Sequence, residues 1–546
     1  MHDRSQPRSS LERHIYGAAG LTLLVLAYML PGAIGHEPWR GDDIEHFATT
    51  HALLRGEWWL LPTLAGEPVA GHGPFHYWLS ALFGTLFGWL MPLHDATRLA
   101  TPFAAALATL WITRSASRLY GRRSRAAAAL LTIGTLGLAV HVHEHQPMVT
   151  LMALQAMTLA GLALIPTQPL KGSVQAGLGV ALAFLTAGLT GVLLTLPLLA
   201  LVAIAAPEVR SPRASGALIV GLSIAVGGSA LWPLLLSANQ PEMMDLWWTR
   251  TWSEFASEPL SRAELPRLLE TLGWFVWPLW PIALWALWRA RRQILHMPWL
   301  LPLAALCLAL TWIFLNGSFR PADMLPTAPA LALLAAGGIQ TLRRGAANAF
   351  DWFALMTFGL FALLIWLAWS AQASGWPPGL ARSLTRMAPD FVLQGSGLQA
   401  ALGGVIMLVW VVLVWRLPRG GDRAPSNWAM GMTMLWCLTV TLLLPWVDYT
   451  RNYRPMAESL RVTLSLEQPP CMATPHLDAT HRAVLDHYLG LRPEPTQDVQ
   501  SGCRYLFVHD DDADLVAAPS DNWLPVWRYR HAGGKRLEVF TLYRRD

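Results

Sequence analysis

The feature that most constrains this chain is a set of apolar runs, about 18–22 residues long, recurring along most of its length. Each is long enough to cross a hydrocarbon core about 30 Å thick. A water-soluble chain of 546 residues would alternate apolar with polar faces, yet here 53% of residues are hydrophobic and 14% charged. The fold class that follows is an α-helical polytopic membrane protein. Spans are expected near residues 15–34, 96–117, 124–142, 148–166, 174–189, 191–207, 214–237, 268–288, 297–315, 322–341, 350–371, 399–416 and 426–447, thirteen in all. The stretch 74–91 is as apolar as several of these, but Pro74, His76 and Pro92 interrupt its ends, so it reads as an interfacial helix.

Charge placement gives the topology. Thirteen spans put "RSASRLYGRRSR", "QPLKGS", "PEVRSPR", "WRARRQ", "LRRGA" and "WRLPRGGDR" on the inner side, and every one carries Lys or Arg. The outer side then holds "HVHEHQP", "LNGSFRP", the segment around "WWTRTWSEF", residues 35–95 and the last hundred residues. The basic head "MHDRSQPRSSLERH" precedes a run too long for a signal-peptide core, so it reads as a signal anchor with a cytoplasmic N-terminus. The net charge of +5 reflects Arg scattered through short loops, which points to topology and not to nucleic acid.

Two regions result: a membrane domain over 1–447, whose outer loop 35–95 carries the first polar cluster, and a small soluble α/β domain over 448–546. In the second, "THRAVLDHYLGL" reads as a helix and "CRYLFVHD" as a strand closed by the turn-like "DDDAD". "WLPVWRYRHAGGKRLEVFTLYRRD" reads as two alternating runs joined by "AGG", a hairpin signal. Cys307 and Cys437 lie inside apolar runs, whereas Cys471 and Cys503 lie in the tail, where an oxidising compartment could join them.

The polar clusters carry the chemistry. Asp42 and Asp43 stand where the first span reaches the outer face; capping of the helix "DDIEHFATTHALLRG" is one reading, catalysis the other. His72, Gly73 and Pro74 form a rigid turn into a helix bearing Tyr77, with Trp58, Trp59 and Trp78 as interfacial aromatics. In "HVHEHQP", His141 and His145 share a helical face, and His143 with Glu144 offers a divalent-metal site there. No second anchor stands at ligand spacing, and contact with headgroups or substrate is the stronger reading. Arg320 sits at the outer mouth of a span, where topology does not call for it, as a candidate phosphate contact. Arg250, Glu254, Glu258, Arg262 and Glu264 form a mixed-charge outer loop.

Asp42, Asp43, Gly56, Trp58, Pro62, Gly66, Pro74, Tyr77, Trp78, Phe87 and Gly88 follow one another in a recognisable order. "LYGRR", "GWFVWPLWPIALWALWR" and "FRPADMLPTAPALALLAA" come after them. From Ile15 to about Trp446 the chain resembles the polyprenyl-phosphate-dependent glycosyltransferases of the GT-C fold, in the group of lipid A aminoarabinose transferases and protein O-mannosyltransferases. That resemblance implies a GT-C membrane domain, a periplasmic tail domain and residence in the bacterial inner membrane. It implies an undecaprenyl-phosphate sugar as donor and an outer-side acceptor, either lipid A, another glycolipid or a protein. The displacement would be inverting, with no cofactor.

By the same resemblance Asp42 is the base that deprotonates the acceptor, paired with Asp43, and Arg320 with His72 faces the leaving phosphate. Tyr77, His143, His145, Gln146 and Arg250 are further substrate contacts. The chain also departs from the family. His72-Gly73 replaces a Lys-Pro, Gln146 replaces a second acid, Ala187 replaces a Lys, and Glu45-His46 replaces Arg-Tyr. Histidines standing in for the lost cations would make the site's charge depend on pH. Two alternatives stay open: a transporter or flippase for lipid-linked sugars, and a catalytically silent lipid-binding relative. A transporter would bury ionisable residues at mid-membrane, and here they gather at the outer surface.

Overall fold

The computed structural model describes residues 17–255, 260–316, 320–393, 395–417, 420–467, 471–474, 477–492, 503–510, 522–532 and 537–545. Seven helices among them are long and apolar enough to cross a membrane by length and composition. Three shorter apolar helices, Ala18–Met29, Ser124–Ile133 and Pro147–Leu162, pack with them. Burial sorts the long helices. The apolar window of Pro321–Thr341 is 89% buried, against 11% for Ser396–Arg416 and 17% for Arg344–Ser374. The first is therefore central, and the other two turn Leu and Val side chains outward, as lipid-facing helices do.

Two expected spans are broken, and the breaks meet. The run 124–142 divides into Ser124–Ile133 and Leu138–His141, and the run 268–288 into Leu265–Phe275 and Leu279–Arg289. The freed backbone groups pair across the gap: Leu136 N–H donates to the Trp277 carbonyl at 3.1 Å and Gly137 N–H to that of Phe275 at 2.8 Å. The Gly134 carbonyl accepts the Trp428 indole at 2.6 Å. Irregular backbone at membrane depth survives only where protein satisfies it, as here. Hydropathy records the apolar character of both runs and is blind to their interruption.

The runs 174–189 and 191–207 belong to one helical stretch, Pro169–Ala205, interrupted at Ala187 and at Gly188, whose φ is +48°. A Cβ on Gly191 would collide with the carbonyl of Ala183, eight positions earlier, so the chain doubles back there. An unbroken helix would separate those residues by about 12 Å.

After the first helix, Gly41 at φ +86° lets the chain turn into the acid helix, Asp42–Leu54. Asp42, Asp43 and Glu45 in its first turn suit the positive end of its dipole. The segment 74–91 forms the helix Phe75–Phe87, with Leu82, Leu86 and the following Trp89 exposed, as in a helix lying against lipid.

β1 (Thr63–Leu64) and β2 (Glu67–Pro68) form a small antiparallel ribbon. In the tail β3 (Met472–Ala473), β4 (Tyr505–Asp510), β5 (Trp523–Ala532) and β6 (Leu537–Arg545) form a sheet in the order β3-β4-β6-β5. β5 and β6 pair antiparallel as their alternating runs predict; the "DDDAD" turn after Asp510 and the Gly533-Gly534 link lie outside the described residues. The change of composition at Asp448 falls inside the helix Arg423–Arg451. Ile44, Phe47 and Ala48 of the acid helix share a buried cluster with Tyr453, Leu460, Val484 and Phe507, so the tail is packed directly onto the first polar cluster.

Cys471 and Cys503 are joined as a disulfide, with Cα atoms 5.3 Å apart and 32 positions between them. A closure of that length stabilises by about 3–4 kcal/mol. Cys503→Ser is expected to lower the melting temperature in detergent and to abolish the further lowering that reductant produces in the wild type. An unchanged melting curve would contradict this.

Candidate active site

The acid pair is divided between two environments. Asp43 is fully buried, and its carboxylate accepts five hydrogen bonds. These come from Trp39 N–H at 2.9 Å, His145 N–H at 2.7 Å, His145 Nδ1 at 2.6 Å, and Arg98 Nε and Nη2 at 3.3 and 3.2 Å. Burial acts to raise its pKa, but the Arg98 guanidinium and the His145 ring hold it well below the usual carboxylate range. Arg98, also fully buried, reaches Asp95 Oδ1 at 2.9 Å and the carbonyls of Ala33 and His36. Asp43 thus fastens the first loop to the "HEHQ" loop. It has no free face for a substrate, which corrects the expectation of a catalytic role.

Asp42, next in sequence, points the other way and keeps part of its side chain exposed. Gln146 Nε2 donates to its Oδ2 at 2.8 Å and Arg320 Nη1 to its Oδ1 at 3.1 Å. Gln146 is itself held in place, because its Oε1 caps the helix Pro147–Leu162 by accepting from Met148 N–H at 3.1 Å. Gln146 is therefore a fixed hydrogen-bonding partner of Asp42.

Arg320 opens onto a cavity of about 500 Å³ between the ribbon, the membrane helices and the tail. Arg250, Arg482, Glu45, His46 and His72 also line it, whereas Asp42 stands one contact behind, at Arg320. Arg250 and Arg482 converge on Glu67 at 3.1 and 3.0 Å. Glu45 lies 3.6 Å from Arg320 and accepts the Thr480 hydroxyl at 2.6 Å, which ties the tail to the cavity wall. Burial raises the Glu45 pKa above its ordinary value.

His72 lines the cavity, and its Nδ1 is buried with no hydrogen-bond partner among the described residues. Burial, reinforced by Arg320, pushes its pKa down to about 4, so at neutral pH it is an uncharged hydrogen-bonding group and not a second cation. Tyr77 sits behind the wall, with its hydroxyl 3.0 Å from His46 Nδ1. Burial, with His72 nearby, also keeps His46 well below its ordinary pKa.

The "HVHEH" island does not assemble as expected. His143 is buried against Trp436, its nitrogens facing the Ala139 and Tyr28 carbonyls at 2.7 and 2.9 Å, so it meets no substrate. His145 is consumed by Asp43 and Thr97, and burial brings its pKa down to about 4. His141 pairs with Glu144 at 3.6 Å while His145 faces Asp43, so the two do not converge on a metal. The short helix Leu138–His141 ends at His141, and His145 lies beyond it, so no continuous helix aligns the two. Of the mixed-charge outer loop, only Arg250 is placed on the cavity among the described residues; Glu258 lies outside them.

Sequence reasoning missed Glu45, Glu67, Arg98 and Arg482. Arg98 sits in an otherwise apolar stretch, where a charge must find a partner. Arg482 carries no such signal, because only the docking of the tail brings it to the cavity.

No family model matches the sequence, and no curated protein matches it. Solved structures do. ArnT from Cupriavidus metallidurans bound to undecaprenyl phosphate aligns over 98% of each chain with a TM-score of 0.68 at 19% identity. Its apo state aligns over 96% of this chain and 97% of that one, with a TM-score of 0.63 at 20% identity. The chain shares its fold with ArnT from end to end, tail domain included. The GT-C architecture expected from the sequence is the architecture found.

Proposed function

We propose that this chain is an inner-membrane glycosyltransferase that moves a sugar from undecaprenyl phosphate to an acceptor on the outer face, in the cavity beside Asp42. The observation that supports it most is the arrangement of three arginines, Arg250, Arg320 and Arg482, around one cavity with Asp42 held directly behind Arg320. The shared fold adds that an ArnT has been captured with undecaprenyl phosphate. A lipid phosphate entering among the arginines would compete with Asp42 and Glu45 for Arg320. Once Arg320 has turned to the phosphate, Asp42 is free to take the proton of the acceptor's O–H or N–H. The acceptor then bonds to the anomeric carbon, the carbon–oxygen bond to phosphate breaks, and its electrons stay on the phosphate, whose growing charge Arg320 meets. The attack comes from the face opposite the phosphate and inverts the anomeric centre. The N-terminus lies in the cytoplasm and the tail in the periplasm, consistent with the Cys471–Cys503 disulfide.

One observation favours a second assignment of the base. Glu45 lines the cavity itself, and burial raises its pKa toward the working range of a general base. As a base it would act only above that raised pKa.

The test is transfer from radiolabelled undecaprenyl-phosphate sugars to a periplasmic membrane extract by the purified chain. Label should move with the wild type and fall about 100-fold or more with Arg320→Ala. An absence of transfer from every donor offered would refute the reading.

The pH response also has a sign. The folded pKa of His72, about 4, lies below its ordinary 6.5. Its contribution to stability is therefore complete above pH 6.5 and lost as pH falls toward about 4. Glu45, raised in the folded state, does the reverse: its contribution is complete below its ordinary 4.5 and lost as pH rises through the folded value. His72→Gln is expected to lessen the fall in melting temperature between pH 6.5 and 4.5. An identical fall in variant and wild type would contradict it.

A further inference from the structure

Away from the cavity, one face of the tail sheet gathers imidazoles. His509 of β4 pairs with Phe540 of β6, and His531 of β5 pairs with Glu538 of β6. Residues directly opposite in antiparallel strands share a face, as do residues two apart on one strand. His509, His531 and Glu538 therefore project from the same side. The tail helix Ala479–Val484 covers that side and lowers His481 onto it, with the His481 and His509 ring centroids 4.0 Å apart.

The nitrogens of His481 and His509 and a Glu538 oxygen all lie within 4.8 Å of one another. His481 is only 4% exposed, and its Nε2 is buried with no hydrogen-bond partner. His531 is equally buried, and its Nε2 is unpartnered too. Two buried imidazole nitrogens without a hydrogen-bond partner among the described residues, beside a carboxylate, are costly unless something satisfies them.

We propose that His481, His509 and Glu538, with His531 alongside, form a binding site for a divalent transition metal, zinc by the chemistry of its donors. Imidazole and carboxylate suit zinc, and three or four such ligands make a tetrahedral site. Ligand atoms around zinc lie about 3.4 Å apart, so the set must contract by about 1 Å, within the reach of rotamer changes in these side chains. The surrounding groups are those of a metal site. Asp478 caps the tail helix by accepting from His481 N–H and stands 2.6 Å from His481 Nδ1, a carboxylate beside the imidazole as metal sites commonly have. Tyr453 donates to Glu538 Oε2 at 2.8 Å and Arg40 to Oε1 at 2.9 Å. A carboxylate has about four lone-pair positions, so two donors leave room for a metal. Arg40 opposes a cation electrostatically, but a third of its side chain is exposed and it can turn to water.

The consequence reaches the cavity without depending on what is transferred there. Thr480, which holds Glu45, and Arg482, which lines the cavity, flank His481 on the same helix. A bound ion would clamp that helix to the sheet and so fix the cavity's tail-side wall.

Cobalt titration of the chelator-stripped, full-length chain in detergent tests this. The wild type should take up about one cobalt per chain with the visible absorption of a tetrahedral site, displaceable by zinc, and should melt higher once loaded. Glu538→Gln and His509→Gln, chosen to preserve shape, should each weaken uptake at least about 10-fold. The wild-type titration stands whether or not a variant folds: no stoichiometric uptake overturns the site outright. Uptake undiminished in both variants would overturn it equally, by locating the metal elsewhere.

Discussion

Arg98→Met is expected to lower stability by about 3–5 kcal/mol. The guanidinium is fully buried and serves Asp43 and Asp95 at once. Met keeps the volume of the side chain but none of its charge. Two buried carboxylates would then lose the cation they share: Asp43 would keep His145 and two backbone N–H groups, and Asp95 the Gly35 N–H. The loss should also depend on pH. With Arg98 gone, burial, already the largest influence on Asp43, loses its strongest opponent and the Asp43 pKa should rise, so the variant's shortfall against the wild type should grow with pH. Thermal unfolding in detergent at pH 5 and pH 8 measures both effects. A small loss, or one equal at the two pH values, would mean that Arg98 only fills space.

Asp42→Asn should reduce sugar transfer by about 10²–10⁴-fold while leaving binding of undecaprenyl phosphate largely intact. The amide keeps the shape of the side chain and its contact with Gln146, and it loosens the hold on Arg320. Glu45→Gln in parallel should lose less than about tenfold, because Glu45 shapes the cavity and sets the charge around Arg320 without taking the proton. Transfer rates with donor binding measured separately decide between the two carboxylates. If Glu45→Gln is the more damaging, and the acid limb of the pH profile goes with it, Glu45 is the base and Asp42 positions Arg320.

Most of the architecture is legible because lipid allows few solutions. A run of apolar residues must become a helix, and the distribution of Arg orients it. For the same reason the acid pair, the His72 turn and Arg320 stand out, since polar groups beside a bilayer are few. The roles within that set are another matter. Asp42 and Asp43 are adjacent, chemically identical, and sit on the first turn of one helix. A step of about 100° around the helix axis separates a carboxylate behind a cavity from one sealed against Arg98. Nothing in the dipeptide says which is which.

By itself the sequence determined a polytopic membrane helix bundle, a polar cluster beside it and an α/β tail, because hydropathy and alternation are local properties. The tertiary structure decided everything that depends on separate segments meeting. It broke two apolar runs where each could satisfy the other's backbone. It turned the "HVHEH" histidines inward as struts, because Asp43 and backbone carbonyls were there to receive them. And it folded the tail onto the acid helix, bringing Thr480 to Glu45 and Arg482 to Glu67, partners on the cavity wall more than 400 positions earlier in the chain. Burial and pairing of charge are properties of what surrounds a residue, and here the surroundings come from the far end of the chain.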